Sequence, residues 1–351
     1  MSKNEQAADA ELPEAKHHID FRNLVVRYGF IAVTVFFFVF FYATIPAFRL
    51  STTMLSMLKF TSVVAIAGLG VTISMVVGGL DLSVGSTAGM SVTVAAMTMV
   101  IYGQQGSVAI VAVLIAGALI GAFNAFLIVI LKIPDLLATL ATMFLVQGLK
   151  LVPVEGQSVS SGLILRDGSV APGKFTEGFL QINRGTIGQV SYPVIIFAVL
   201  TLLTWFFLSR TKWGRIMYAI GSNPEAARLA GARVGRYKAL AYMISGVFAA
   251  IAGLILSSRI GQGDISAGSS LLLDAVAVAL VGTSVLGANK PNALGTALGA
   301  ILIGILLTGT TMMNFPFYWQ DVVKGLVLLV ALILSYTLSD KKQRHVEAVP
   351  T

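Results

Sequence analysis

The chain has 351 residues, 56% hydrophobic and only 11% charged, where a soluble domain carries roughly 25% charged residues; this composition excludes a water-soluble globule and points to a bilayer protein. It has no cysteine, which excludes disulfides, thiolate nucleophiles and Cys-ligated metals, and His17, His18 and His345 all lie in the terminal tails, away from any buried metal or His-based centre. The net charge of +8 is topological and not a nucleic-acid footprint, because residues 210–238 hold seven Lys or Arg against one Glu and lie between apolar stretches.

About 20 apolar residues are needed to cross the hydrocarbon core. Ten stretches qualify, at 28–47, 55–77, 84–102, 108–131, 134–151, 192–209, 239–258, 271–286, 293–313 and 318–338. The expected fold is all-α, a polytopic membrane bundle of about ten helices with helix breaks near the Gly-rich motifs. Residues 1–27 mix four basic and five acidic residues and lack an apolar core with a cleavage site; they read as a cytoplasmic tail and not as a signal peptide. Residues 28–338 form one transmembrane domain and 339–351 a second cytoplasmic tail.

With both termini inside, cytoplasmic segments collect 16 of the 24 Lys and Arg residues, seven fall outside, and Lys324 lies within the last span. This asymmetry supports the even number of crossings and places 210–238 in the cytoplasm. Residues 152–191 are then the long external segment. They are too long for a minimal hairpin, and either fold over the outer face or form a disordered insertion.

Four places along the spans carry polar groups that an apolar bundle must accommodate. Asp81 sits in Gly78-Gly79-Leu80-Asp81-Leu82-Ser83 between two apolar runs. Glycines allow the helix to unwind and Ser83 is placed to cap the next helix through its side chain. The segment is therefore either a break lining a polar cavity, with Asp81 as a pivot near the path, or a cytoplasmic turn with Asp81 as a solvated cap. Asn124 follows the small-residue face of Gly117 and Gly121, where an interhelical hydrogen bond is the simplest role, and Gly295 and Gly299 repeat that spacing. Asp274 opens the eighth span, as a favourable carboxylate at a helix N-terminus or a pathway residue. Asp321 and Lys324 share a helical face and neutralise each other.

The charged segment 210–238 centres on Asn223-Pro224-Glu225-Ala226-Ala227. Pro in the first turn with Glu beside it begins a short helix. Ala226, Ala227 and Ala230 allow another protein to approach the backbone, with Arg228, Arg233 and Arg236 flanking; the plainer reading is an ordinary positive cytoplasmic loop.

The run from Gly221 through Asn223 to Gly231 resembles the coupling loop of ATP-binding-cassette (ABC) importer permeases, the ribose-type sugar permeases in particular. Gly78 to Ser86 is similar to the family's GGIDLSVGS signature, and Asp274-Ala275-Val276-Ala277 with Val281-Gly282-Thr283-Ser284 follows its DAIA…GGTS pattern. The resemblance covers most of the chain after about residue 30. Three departures, Leu272 in place of a Glu, Gly287 to Pro291 in place of a Gly-Gly-x-Gly turn, and Asp135 after Pro134, argue against a simple ribose label.

What the resemblance implies is a permease subunit of a bacterial sugar importer in the inner membrane. Asp81, Ser83, Ser86, Asn124, Asp274, Thr283 and Ser284 would lie along the substrate path. Gly221, Asn223, Glu225, Ala226, Ala227, Arg228 and Gly231 would couple to the ATPase. The partners implied are an ATP-binding cassette subunit, an extracytoplasmic solute-binding protein and a second permease chain, alike or different. The chain has no Walker A pattern, its one Gly-Lys pair being Gly173-Lys174 before Phe175, so ATP and magnesium belong to the partner and this chain takes no cofactor. The alternatives are an ion-coupled secondary carrier, a passive channel, or an ABC permease for a quorum-signal sugar derivative, a nucleoside or a branched-chain amino acid.

Overall fold

The computed structural model describes residues 21–284, 290–316, 318–326 and 329. Residues 1–20 and 339–351 of the expected tails and most of the expected tenth span, 318–338, lie outside these residues, while 21–27, expected in the N-terminal tail, are instead helical and continuous with the first span. Twelve helices are defined among them: α1 (Phe21–Thr44), α2 (Ser51–Val76), α3 (Val84–Ala96), α4 (Gly106–Ala125), α5 (Asp135–Leu149), α6 (Glu177–Arg184), α7 (Tyr192–Arg210), α8 (Lys212–Ser222), α9 (Pro224–Leu229), α10 (Val234–Ile260), α11 (Leu271–Ser284) and α12 (Ala293–Met312). α3 and α4 continue into π turns, Met97–Ile101 and Phe126–Ile130. Seven helices are long and apolar enough to cross a membrane, and Gly29–Thr44 and Leu271–Thr283 are shorter apolar helices. Nine of the ten expected spans therefore correspond to apolar helices, with ends shifted by a few residues.

The bundle is patterned the reverse way to a soluble protein. Along α4, Val108, Val111, Ile115, Leu119 and Phe123 are exposed, while Gly106, Ala109, Val113, Gly117, Gly121 and Asn124 are buried. Lipid tails are as apolar as the interior, so small side chains that permit close backbone approach, and not greasy ones, mark the packed face. A side chain on Gly117 would run into Gly246 and Ala250 of α10, one on Gly121 into Tyr242, and one on Gly246 into the Gly117 carbonyl. The Gly295 and Gly299 face of α12 is used likewise against Gly282 and Val278 of α11. α10 packs on α2, α3 and α4, whereas α2 also carries α7, α11 and α12. These two helices are the axis of the bundle.

Residues 152–191 are folded. They contain α6, a two-stranded hairpin of β1 (Thr186–Ile187) and β2 (Val190–Ser191), and a bridge from Val159 to Gly263 that ties them to the α10–α11 connection. Phe175 and Phe179 pack edge to face and join Met99 and Val100 in a core cluster. The Ser258 hydroxyl donates to the Phe179 and Leu180 carbonyls at 2.9 and 3.0 Å. The disordered-insertion reading is thereby corrected: the segment buries its own aromatic residues against the ends of α3, α4 and α10.

Residues 210–238 are also more helical than a loop. The sequence reading found the short helix at Pro224 but missed α8, whose apolar Trp213, Ile216, Met217 and Ile220 recur at helical spacing among Lys212 and Arg215. Thr211 caps α8 by accepting from the Gly214 amide at 3.2 Å. α10 begins at Val234, so Tyr237 and Lys238 belong to a helix that extends out of the apolar stretch.

The α4–α10 crossing predicts its own sensitivity. Gly246→Val should separate α4 from α10 and lower the thermal unfolding midpoint of the detergent-solubilised protein clearly more than Gly148→Val, where the added carbon has open space. Thermal unfolding monitored by size-exclusion chromatography makes the comparison.

Candidate functional site

The end of α2 is set by Gly78, which takes a φ of +83°, a conformation glycine adopts at little cost. Gly79 follows because Tyr242 and Asp135 close on its Cα; a Cβ there would collide with the tyrosine hydroxyl and the carboxylate. The chain then turns inward, and Asp81 is completely buried between α2 and α3. Its backbone amide donates to the Ser74 hydroxyl at 3.2 Å. Its Oδ1 accepts from the Ser83 amide at 2.9 Å and from the Ser83 hydroxyl at 2.6 Å, and its Oδ2 accepts from the Ser245 hydroxyl of α10 at 2.7 Å.

Asn124 of α4 closes the cluster. Its Nδ2 donates to the Ser83 hydroxyl oxygen at 2.8 Å and lies 3.4 Å from the Asp81 carboxylate. The chain of bonds from Asn124 through Ser83 to Asp81 is one in which each bond polarises the next. Thr139 of α5 donates to the Leu80 carbonyl at 3.0 Å. One buried turn is thus tied to α4, α5 and α10, and Asn124 makes the interhelical bond expected from its small-residue face. The Asn124 Oδ1 has no hydrogen-bond partner among the described residues.

The expected solvated cap at Asp81 is corrected by this burial. The expected cap by Ser83 is also corrected: Ser83 stands at the N-cap of α3 without a side-chain cap bond, because its hydroxyl is committed to Asp81. Ser86 donates to the Ser83 carbonyl at 2.9 Å, reinforcing the same turn. Thr283 donates to the Leu280 carbonyl within α11 and does not join this cluster. The side chain of Ser284, and the turn residues up to 289, lie outside the described residues. Asp274 is bound to Lys324 at 2.9 Å, and Lys324 also holds Asp321 at 2.9 Å. The expected two-residue Asp321–Lys324 pair is therefore a three-residue group in which Lys324 bridges α11 to the helical residues 318–326.

A second element lies at the same end of the bundle as the buried turn. Asn223 caps α9, its Oδ1 accepting from the Glu225 and Ala226 amides at 3.1 and 3.0 Å, and Pro224 occupies the first helical turn, where its missing N–H costs nothing. The helix ends in a Schellman motif: Gly231, at φ +87°, donates to Arg228, and Ala232 donates to Ala227, each at 2.9 Å. Glu225 and Arg228 pair across the solvent face at 3.3 Å. Ala226 and Ala230 are exposed as expected, but Ala227 is buried in the main core and so is corrected from surface to anchor. The outward apolar group is Leu229, 89% exposed. The sequence signal was available, since a leucine two places from a cap-forming glycine on a charged segment has no core to enter.

α8 connects this short helix to the bundle. Gly221 packs so closely on the Val76 carbonyl and Gly78 that a Cβ would collide with the end of α2. The Tyr218 hydroxyl donates to the Pro291 carbonyl at 2.7 Å, just ahead of α12. Lys238 and Asp135 pair at 2.9 Å, joining the start of α10 to the start of α5. Lys150, within the expected fifth span, is buried at the far end of α5 beside Gly89, its ammonium 3.5 Å from the Ala267 carbonyl.

An all-helical bundle with apolar outer faces, a buried polar turn and a protruding capped helix defines a multi-pass membrane permease. The family model for the branched-chain amino acid transport system permease component matches residues 53–332, and the chain belongs to that permease family, a transport subunit and not a catalytic one. It is 32% identical over 297 residues to the ribose import permease protein RbsC of Haemophilus influenzae, covering 85% of this chain and 89% of that one. It is 33% identical over 301 residues to RbsC of Escherichia coli K12, covering 85% and 88%, and 30% identical over 369 residues to the xylose transport system permease protein XylH of H. influenzae, covering 92% and 98%. No solved structure matches significantly.

Asp81→Leu should remove the acceptor of four donors and leave them buried, at about 1–3 kcal/mol for each group left unsatisfied. Asp81→Asn keeps an oxygen toward Ser83 and turns its amide toward Ser245, whose hydroxyl can accept. Thermal midpoints are therefore expected in the order wild type, Asp81→Asn, Asp81→Leu; equal midpoints for all three would show that the cluster holds nothing together.

Proposed function

We propose that this chain is the membrane permease subunit of a bacterial ABC importer that moves a monosaccharide into the cytoplasm, driven by ATP hydrolysed on a separate subunit. The observation that carries this reading is α9. A six-residue helix stopped at both ends by its own caps, presenting Leu229, Ala226 and Ala230 outward, is poorly suited to solvent and well suited to a groove on a partner protein. The likeness to ribose and xylose permeases supports a pentose or related sugar as the cargo.

Coupling then has a material route. Movement of α9 is passed to α8 through Asn223, and α8 bears on the α2 terminus at Gly221 and on the α12 entry at Tyr218. The buried Asp81 turn stands directly behind Gly221's contact. In this reading Gly221, Asn223, Glu225, Ala226, Arg228 and Gly231 form or frame the docking surface, Ala227 anchors it, and Asp81, Ser83, Ser86 and Asn124 form the joint that lets α2 and α3 shift together against α4 and α10. Asp274, Thr283 and Ser284 belong to the separate α11 region.

The protein would sit in the inner membrane with both termini and residues 210–238 cytoplasmic, and with 152–191 facing a solute-binding protein. The apolar outer faces of α4, α5 and α7 meet lipid or a second permease chain. Small neutral cargo is consistent with the ion pairs of the bundle, because Lys238–Asp135, at the start of α10, and Lys324–Asp274, on α11, share no residue and form no continuous relay among the described residues of the kind an ion-coupled carrier uses.

Two measurements test the reading. Glu225→Lys, a bulky residue at Ala226, or Leu229→Glu should abolish sugar uptake in cells while the permease remains folded and inserted; normal uptake with the ATPase co-purifying at wild-type yield would sink α9 as the coupling element. A single cysteine at Ser222, free of background because the chain has none, should resist an impermeant thiol reagent added to intact cells and react after permeabilisation. Labelling in intact cells would reverse the topology.

A further inference from the structure

A cavity of about 500 Å³ opens between α8 and the first turns of α10. Its lining divides into two kinds of chemistry. Trp213, Ile216 and Leu240 supply an apolar wall, and Arg233, Arg236 and Tyr237 supply donors. Arg233 and Arg236 are three residues apart, on one face of the helix start, and both are exposed. Neither has an ion-pair partner among the described residues: the carboxylates nearby in sequence and space are taken, Glu225 by Arg228 and Asp135 by Lys238.

The position of the cavity is as informative as its lining. α7, an apolar spanning helix, ends at Arg210, whose guanidinium lies over the Trp205 ring. Trp213 follows immediately, half exposed and packed edge to face on Phe207. Tryptophan and arginine in this order mark the headgroup level of a bilayer. The cavity therefore lies beside this boundary, and its apolar Leu240 is one turn further along α10 toward the apolar span than Arg236.

We infer that this cavity binds the phosphate of an anionic phospholipid from the leaflet on the side of residues 210–238. A guanidinium fork offers paired donors matched to phosphate oxygens, and the glycerol and upper acyl carbons would lie along Trp213, Ile216 and Leu240. Basic residues near an anionic leaflet attract it diffusely, but a cavity adds selectivity that diffuse charge lacks. A lipid lodged there wedges α8 against α10 and fixes the angle at which α9 is held. The inference deepens the proposed function in that it names what steadies the coupling element, and it rests on the reading that this end faces the anionic cytoplasmic leaflet.

The test uses the purified full-length permease and native mass spectrometry with phosphatidylglycerol and phosphatidylethanolamine as probes. Wild-type protein should retain phosphatidylglycerol preferentially, and Arg233→Gln/Arg236→Gln should lose that retention by tenfold or more. Lys212→Gln/Arg215→Gln removes the same charge from α8 outside the cavity lining and should retain the lipid as wild type does. Ala232→Leu, which narrows the cavity without altering charge, should weaken retention, and it decides the matter if the double arginine variant fails to fold.

Equal loss in the Lys212/Arg215 control would reduce the effect to surface charge and overturn the site. Displacement of the lipid by inorganic phosphate at comparable concentration would make it a free-phosphate site. Loss of ATPase co-purification with lipid retention unchanged would make the two arginines part of the protein docking surface instead. All three readouts are independent of the Ser222 labelling, so failure of the lipid site and failure of the topology are told apart.

Discussion

A carboxyl group closed off from water must find every hydrogen bond it needs within the protein, and much of this bundle is arranged around meeting that demand at Asp81. Ser83 supplies two donors from the same turn, Ser245 reaches across from α10, and Asn124 comes from α4. Those bonds require α4 and α10 to approach closely, which the Gly117, Gly121 and Gly246 contacts make possible. The polar cluster and the glycine seam are two halves of one constraint: without close approach the donors do not reach, and without the donors the turn cannot be buried.

The same turn is the place where α8 and α9 meet the spanning helices. Gly78 is needed for its left-handed backbone and Gly221 for contact, and the two meet where α8 touches the end of α2. A rigid, hydrogen-bonded turn transmits displacement better than an apolar one, because its bonds are directional and break discretely. The α8–α9 pair is capped at Thr211 and Asn223 and closed by Gly231, and in the proposed reading it acts as a lever whose far end carries Leu229.

Much of this was legible in the sequence. Nine apolar helices, the small-residue faces, the start of α9 at Pro224 and the interhelical role of Asn124 follow from composition, spacing and propensity, which are local or periodic properties. α8 was missed because charged residues at 212 and 215 obscure an apolar stripe that is too short for a span. The burial of Asp81, Ala227 and Lys150 was not legible, since the pattern of neighbours along the chain is the same whether a turn is tucked in or left in solvent.

The sequence by itself determined that this is a polytopic membrane protein, where its spans lie, and which segment protrudes, because hydrocarbon thickness and helix rise set those lengths residue by residue. Tertiary structure alone decided that Asp81 is a buried hub and not a cap, that Lys324 bridges two carboxylates and not one, and that residues 152–191 are a folded cover. Each of these depends on partners tens to hundreds of residues away, as Ser245 is from Asp81 and Gly263 from Val159, and no local pattern encodes which distant donor will arrive.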